Sequence, residues 1–111
     1  MASKKRKRMT FEKSSGNVFA DLGLANPERA QLKAHLTLQI YRIIKERELT
    51  QAGAGTILGI KQPRVSLLMR NRSGNFSVER LMDFLVALGQ DVEITVRPTR
   101  KSHGQVSIVL A

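Results

Sequence analysis

The residues that could carry catalysis or bind a metal ion are few in this 111-residue chain, and they lie far apart. The chain has no cysteine, which excludes disulfides and thiolate metal sites. His35 and His103 are isolated, with no second ligand at a spacing that zinc sites use. Four acidic residues could be considered for catalysis, but none has a histidine, serine or second carboxylate at a catalytic spacing. They are Glu46, Glu48, Glu79 and Asp83. We therefore expect that the protein is not an enzyme and that it binds neither a metal ion nor a cofactor.

The charge of the chain is a better guide to its partners. The formal net charge is +10 and the isoelectric point is about 11.0. Such a balance favours a polyanion, either nucleic acid or an acidic membrane surface. No stretch approaches the roughly 20 apolar residues that span a membrane, and no apolar run follows the basic N-terminus as in a secretory signal. A cytoplasmic protein is expected.

The N-terminal region separates from the rest by composition. Residues 4–8 are all lysine or arginine, a block of like charge that repels itself, so residues 1–18 are predicted to be a disordered basic arm. The arm either tracks DNA or is a solvated tail. The apolar residues that follow either form a helical turn on the body of the domain or dock a partner; they are Val18, Phe19, Leu22 and Leu24.

Four helices are predicted between residues 26 and 89. The first begins at Asn26, with proline and glutamate in its first turn, and runs to about Glu48. A second begins after Thr50 and ends at Gly59, and a third runs from about residue 61 to 71. The fourth begins after Ser77 and ends near residue 89. Residues expected on the buried faces of the first and fourth helices are Leu32, Leu36, Ile40, Ile43, Leu81, Phe84, Leu85 and Leu88.

The period of the apolar residues changes from 3.6 to 2 after Gly89. Val92, Ile94 and Val96 alternate with polar residues, which predicts a strand that Pro98 ends. Residues 105–110 alternate in the same way after a polar turn. A strand or hairpin is therefore expected at 92–111, and an isolated hairpin needs a partner surface because it is marginal in water. That partner is the domain's own core, a second copy or another protein.

The segment 49–70 meets the requirements of a helix-turn-helix. Gly59 supplies the positive φ that a tight turn needs, and Ala54 and Gly55 let the two helices approach closely. The apolar inner faces are supplied by Leu58, Ile60, Val65 and Leu68. The polar residues expected to project from the second helix of the motif are Lys61, Gln62, Arg64 and Ser66. An ordinary antiparallel helix pair is the alternative.

The same segment resembles the Xre-type helix-turn-helix family in residues 49–52 (LTQA), 58–60 (LGI) and 62–66 (QPRVS). The flanking runs 17–24 (NVFADLGL), 26–28 (NPE), 76–81 (FSVERL) and 87–94 (ALGQDVEI) resemble the HigA-like antitoxin branch of that family. The resemblance covers about residues 11–97. It implies a mainly α fold, a compact four- to five-helix bundle of the lambda-repressor-like DNA-binding type, spanning 19–91 and followed by the β extension.

The resemblance also implies a site. In such proteins the second helix of the motif enters the major groove with its N-terminal residues on base edges. Gln62 and Arg64 are then the best base readers, for adenine and guanine, and Ser66 is a lesser candidate. The residues expected on phosphates are Gln51, Lys61, Arg70 and Arg72.

Three residues depart from the family pattern. Gly53 replaces a helix former, at a cost of about 1 kcal/mol relative to alanine. Leu67 stands where relatives carry a polar reader, so it contacts either a thymine methyl group or a protein partner. Pro63 is allowed in a first helical turn but biases Gln62 away from helical angles, so Gln62 either caps the helix or belongs to it.

The resemblance finally implies partners. A homodimer on a palindromic double-stranded operator is expected, because such motifs read two half-sites related by a two-fold axis. As an antitoxin, the protein would repress its own operon and neutralise a small RelE/HigB-like toxin. The alternatives are a stand-alone Xre-type transcriptional regulator and a protein-interaction module that has lost DNA binding.

Overall fold

The computed structural model describes residues 26–71 and 75–110, and it contains four α-helices in that part of the chain. They are α1 (Asn26–Glu46), α2 (Gln51–Leu58), α3 (Gln62–Met69) and α4 (Val78–Ala87). The predicted arm at 1–18 and the apolar cluster at 18–24 lie outside the described residues. The helical prediction and the mainly α fold class are confirmed.

The core is formed by one face of each helix. α1 packs against α3 and α4, while α2 packs against α3 and, more lightly, against α4. Every apolar residue predicted for the buried face of α4 is buried. In α1, Leu36, Ile40 and Ile44 are buried at steps of four, whereas Leu32 and Ile43 are only half-buried against the core. The face of α1 is therefore rotated slightly from the one that the sequence predicts.

One polar side chain, Thr37, lies fully inside this core. Its hydroxyl donates a hydrogen bond of 2.7 Å to the backbone carbonyl of Lys33, one turn earlier in α1. A buried hydroxyl without a partner destabilises a fold, and this local bond removes that cost.

Each of the four described helices is followed by a residue in the left-handed conformation, which is Asn71 (φ 56°) after α3, and the other three ends share one arrangement. After α1, α2 and α4 that residue is Glu48 (φ 54°), Gly59 (φ 74°) and Gly89 (φ 87°). In each case the next residue donates its backbone N–H to a carbonyl five positions back, as Leu49 does to Ile44 at 3.0 Å. This is the Schellman arrangement, in which glycine is the usual left-handed residue. Glu48 is the exception among the three.

The chain beyond α4 does not form the predicted strands. Residues 90–110 are described and belong to neither a helix nor a strand. Val96 is 91% exposed and Val109 is 86% exposed, whereas Ile108 is half-buried and packs against the core. An alternating segment becomes a strand only when another strand accepts its backbone hydrogen bonds, and the two alternating segments, 92–96 and 105–110, do not pair with each other in this structure.

Candidate nucleic-acid interface

The first helix of the motif, α2, is fixed at both ends by local hydrogen bonds. The Thr50 hydroxyl accepts a hydrogen bond of 2.9 Å from the backbone N–H of Gly53, which makes it the predicted N-cap. At the other end Gly59 adopts the left-handed conformation, and its N–H donates to the carbonyl of Gly55 at 2.8 Å. The direction in which the chain leaves α2 is therefore set by backbone geometry.

The close approach of the two helices depends on Gly55. A Cβ atom at this position would lie 2.6 Å from the carbonyl oxygen of Ile60 and 3.4 Å from Cγ2 of Val65. The turn passes directly over Gly55, so no side chain fits without moving the backbone. Ala54 and Gly55 are both buried, as predicted.

Gly53 lies directly beside the hydroxyl that caps α2. A Cβ atom on Gly53 would lie 3.1 Å from the Thr50 hydroxyl oxygen, which is tighter than an ordinary contact. The same hydroxyl accepts the hydrogen bond from the Gly53 N–H. A side chain at this position would require the Thr50 hydroxyl to shift by a few tenths of an ångström.

The second helix of the motif, α3, begins one residue before its proline. Lys61 is the N-cap residue, with extended backbone angles and no side-chain capping bond, and Gln62 is the first helical residue. Pro63 therefore lies in the first turn, where its missing N–H has no intrahelical partner to lose. Of the two possibilities for Gln62, the structure shows that it belongs to the helix.

The two faces of α3 are clearly divided. Val65 and Leu68 are buried, which confirms the predicted inner face. Gln62 and Arg64 are exposed at the start of the helix, while Ser66 is half-buried. Leu67 is also half-buried and packs against the core, so it is only partly available to an external partner.

Arg64 does not project freely into solvent. Its guanidinium carbon lies 4.5 Å from the centre of the Phe76 ring, in a cation–π contact. Phe76 precedes α4 and is buried, with 1% of its surface exposed. The guanidinium therefore lies on the flank of α3 that faces α4, with its position defined by an aromatic ring.

The predicted phosphate contacts are spread over the motif. Gln51 is the first residue of α2 and is half-buried, and Lys61 is exposed at the turn. Arg70 follows α3 and is exposed. Its Nε donates a hydrogen bond of 3.4 Å to the backbone carbonyl of Ser66. Arg72 lies outside the described residues.

A shallow, open depression joins the N-terminal half of α3 to α2 and α4. Its charged lining residues are Lys61, Arg64 and Arg80, and Gln62 also lines it. No carboxylate among the described residues lines this surface. Sequence reasoning did not single out Arg80; the available signal was an arginine four residues before an aromatic residue, Phe84, on one helix face.

The described part of the chain offers no competing site. It holds no group of three or more histidine, cysteine, aspartate or glutamate side chains that could bind a metal ion. None of the described helices is both long enough and apolar enough to cross a membrane.

Two short helices joined by a left-handed turn, with a cationic surface at the start of the second, define a DNA-binding helix-turn-helix protein. A family described as a helix-turn-helix domain matches residues 18–97, and the chain belongs to that family. A solved structure named "Putative XRE Family Transcriptional Regulator" is 42% identical to this chain, with a TM-score of 0.74. The match covers 78% of this chain and 100% of that one. No curated protein matches.

These comparisons confirm the Xre-type helix-turn-helix assignment made from residues 49–66. The chain is a DNA-binding transcriptional regulator.

Proposed function

We propose that this regulator is the antitoxin of a toxin–antitoxin pair, which represses its own operon and neutralises a RelE/HigB-like toxin that cleaves mRNA. The observation that carries the proposal is the exposed apolar surface of the C-terminal segment. Within residues 92–110 the large apolar side chains that are at least one-third exposed are Val92, Ile94, Val96, Val106, Val109 and Leu110. Apolar side chains concentrated in one exposed segment are typical of a surface that a protein partner covers.

DNA recognition in this proposal uses a homodimer on a palindromic operator. Each protomer carries one helix-turn-helix, and two motifs related by a two-fold axis read two half-sites about one helical turn apart. Gln62, Arg64 and Ser66 read base edges, each good pair contributing about 1–3 kcal/mol of discrimination. The position of Gln62 and Arg64 in the N-terminal half of α3 supports their roles, and Ser66 follows one residue beyond that half. The phosphates are contacted by Gln51, Lys61, Arg70 and Arg72.

The second candidate is a stand-alone Xre-type transcriptional regulator without a toxin. The specific observation in its favour is the 42% identical structure, whose name describes a regulator and mentions no toxin. The DNA chemistry is the same in both candidates, so the difference lies in the protein partner alone.

The antitoxin proposal is tested by co-expressing this chain with the product of an adjacent gene that encodes a small basic protein. We expect the two to co-purify in a defined ratio and the toxin's mRNA cleavage to stop when the complex forms. A variant truncated after Gln90 serves as the control, and we expect it to remain folded but to lose the partner. If no neighbouring product co-purifies, the stand-alone regulator is the correct assignment.

The base readers are tested separately, after the operator half-site has been selected from a random DNA pool. We expect Arg64→Ala to lose about 1–3 kcal/mol on the selected site and to relax specificity at one base pair. Arg42→Ala removes the same charge from an exposed position of α1 and is the matched control. If Arg64→Ala discriminates between bases as the wild type does, Arg64 is not a base reader. If the wild type shows no palindrome-dependent binding, the protein-interaction module without DNA binding is favoured.

A further inference from the structure

Two buried aromatic rings lie under the edge of the DNA-binding surface, and each has an arginine over its face. The rings of Phe76 and Phe84 meet edge to face, with centroids 5.5 Å apart and an interplanar angle of 75°. The guanidinium carbon of Arg64 lies 4.5 Å from the centre of the Phe76 ring, and that of Arg80 lies 5.0 Å from the centre of the Phe84 ring. Both rings are 1% exposed.

This arrangement gives the two arginines more defined positions than surface arginines normally have. The planar guanidinium stacks on an aromatic face, and a stacked side chain retains fewer rotamers than a solvated one. The rings themselves are fixed by the core and by each other. Less conformational entropy is then lost when an anion binds to the guanidinium groups.

The depression that Arg80 lines is cationic. Arg80 lines the same depression as Lys61 and Arg64, a surface on which no carboxylate of the described residues lies. Arg80 belongs to the first turn of α4, outside the helix-turn-helix. With α3 in the major groove, a residue on the neighbouring helix faces the sugar–phosphate backbone at the groove edge rather than the base edges.

We propose that Arg80 is a DNA phosphate contact outside the helix-turn-helix, and that the Phe84 ring, which meets Phe76 edge to face, positions the Arg80 guanidinium for DNA. Phe84 is a positioning residue for Arg80, because it touches the guanidinium and is itself buried. The proposal rests on the DNA binding described above and extends it to a residue and a ring pair that the motif does not include.

The experiment measures affinity for the selected operator and for unrelated duplex DNA between about 50 and 200 mM salt. Loss of one phosphate contact lowers the slope of log affinity against log salt concentration by about 0.9. Over this fourfold range of salt, the wild type should therefore lose about 3.5 times more affinity than Arg80→Ala does. We expect Arg80→Ala to weaken binding to both DNAs by the same factor, which leaves the specificity ratio unchanged. Arg42→Ala, at an exposed position of α1 outside the depression, is the charge-matched control.

The role of the ring is tested by a double-mutant cycle with Phe84→Leu, which keeps an apolar side chain in the core. We expect Phe84→Leu to weaken DNA binding in the wild-type background but to have no effect on binding in the Arg80→Ala background. Arg80→Lys is expected to retain the salt slope, because it keeps the charge that contacts the phosphate. Thermal unfolding of each variant confirms that the protein assayed is folded.

The outcomes separate this proposal from DNA binding itself. If the wild type binds the operator and Arg80→Ala has the salt slope of Arg42→Ala, the phosphate contact is wrong although the regulator binds DNA. If Phe84→Leu weakens binding equally with and without Arg80, the positioning role is wrong. Failure of the wild type to bind any duplex would instead contradict the function of the whole motif.

Discussion

The substitution Gly55→Ala tests the central packing argument of the helix-turn-helix. Helix propensity alone predicts that alanine stabilises α2 by about 1 kcal/mol, because glycine is the poorer helix former. The structure predicts the opposite. A Cβ atom would lie 2.6 Å from the carbonyl oxygen of Ile60, and relieving that contact requires a separation of at least about 3.3 Å. The displaced atom is backbone, so rotation of a side chain cannot relieve the contact.

We expect Gly55→Ala to lower the free energy of unfolding by about 1–3 kcal/mol, the usual range for an overpacked interior. The turn must move away from α2, and α3 moves with it, so specific DNA binding should decline more than non-specific binding. Denaturant unfolding followed by circular dichroism measures the first effect, and binding to operator and unrelated DNA measures the second.

Gly59→Ala is the matched control, four residues later in the same motif. A Cβ atom there meets no atom within 4 Å, so only the left-handed backbone conformation is strained. We expect a loss of about 1 kcal/mol with the specificity ratio preserved. Stability of Gly55→Ala equal to or above the wild type would refute the packing argument, since propensity would then have outweighed the contact.

Three further substitutions test the local features that fix the helices. Glu48→Gly should raise the free energy of unfolding by about 0.5–1 kcal/mol, because the relief of left-handed strain exceeds the extra chain entropy that glycine loses on folding. Glu48→Ala keeps the strain and should not raise it. A higher free energy of unfolding in Glu48→Ala would show that the glutamate side chain, and not the backbone, is the cause. Thr50→Ala should lose about 1 kcal/mol through the cap to Gly53, whereas Thr50→Ser should retain most of it; equal stabilities would contradict the capping role. Leu81→Ala should lower the free energy of unfolding by about 2–5 kcal/mol, whereas Val86→Ala, at a position 58% exposed, should change it by no more than about 0.5 kcal/mol. Chemical denaturation measures both values. Similar losses in the two variants would contradict the orientation of α4.

The helix-turn-helix could be predicted from the sequence because its determinants are local. Thr50, Gly59 and Ser77 act within one turn of the backbone they cap, so the residue type alone indicates the helix boundary. The buried face of α4 followed from spacing for the same reason. Glu48 could not be recognised as a helix terminator, because glutamate has no preference for the left-handed conformation that it adopts here, next to a leucine that packs on the core.

The features that could not be predicted depend on contacts between distant parts of the chain. Arg64 was expected to project outward from α3, but whether it stacks on a ring depends on where Phe76 lies, in the segment that leads into α4. The alternation of residues 92–96 and 105–110 predicts two strands, but whether they pair depends on the path of the chain between them, which local pattern does not determine. The close approach of Gly53 to the Thr50 hydroxyl likewise depends on the Thr50 rotamer, which residue type alone does not determine.

The cation–π contact between Arg64 and Phe76 limits how the DNA specificity of this scaffold can be altered. Phe76 is 1% exposed, and one face of its ring is covered by the Arg64 guanidinium. A short residue such as serine at position 64 would change the bases that are read and would also uncover an aromatic ring to water. Long side chains such as lysine, glutamine or methionine can change the reading while they still cover the ring. The core as well as the DNA therefore restricts which operators a single substitution at position 64 can make the protein recognise.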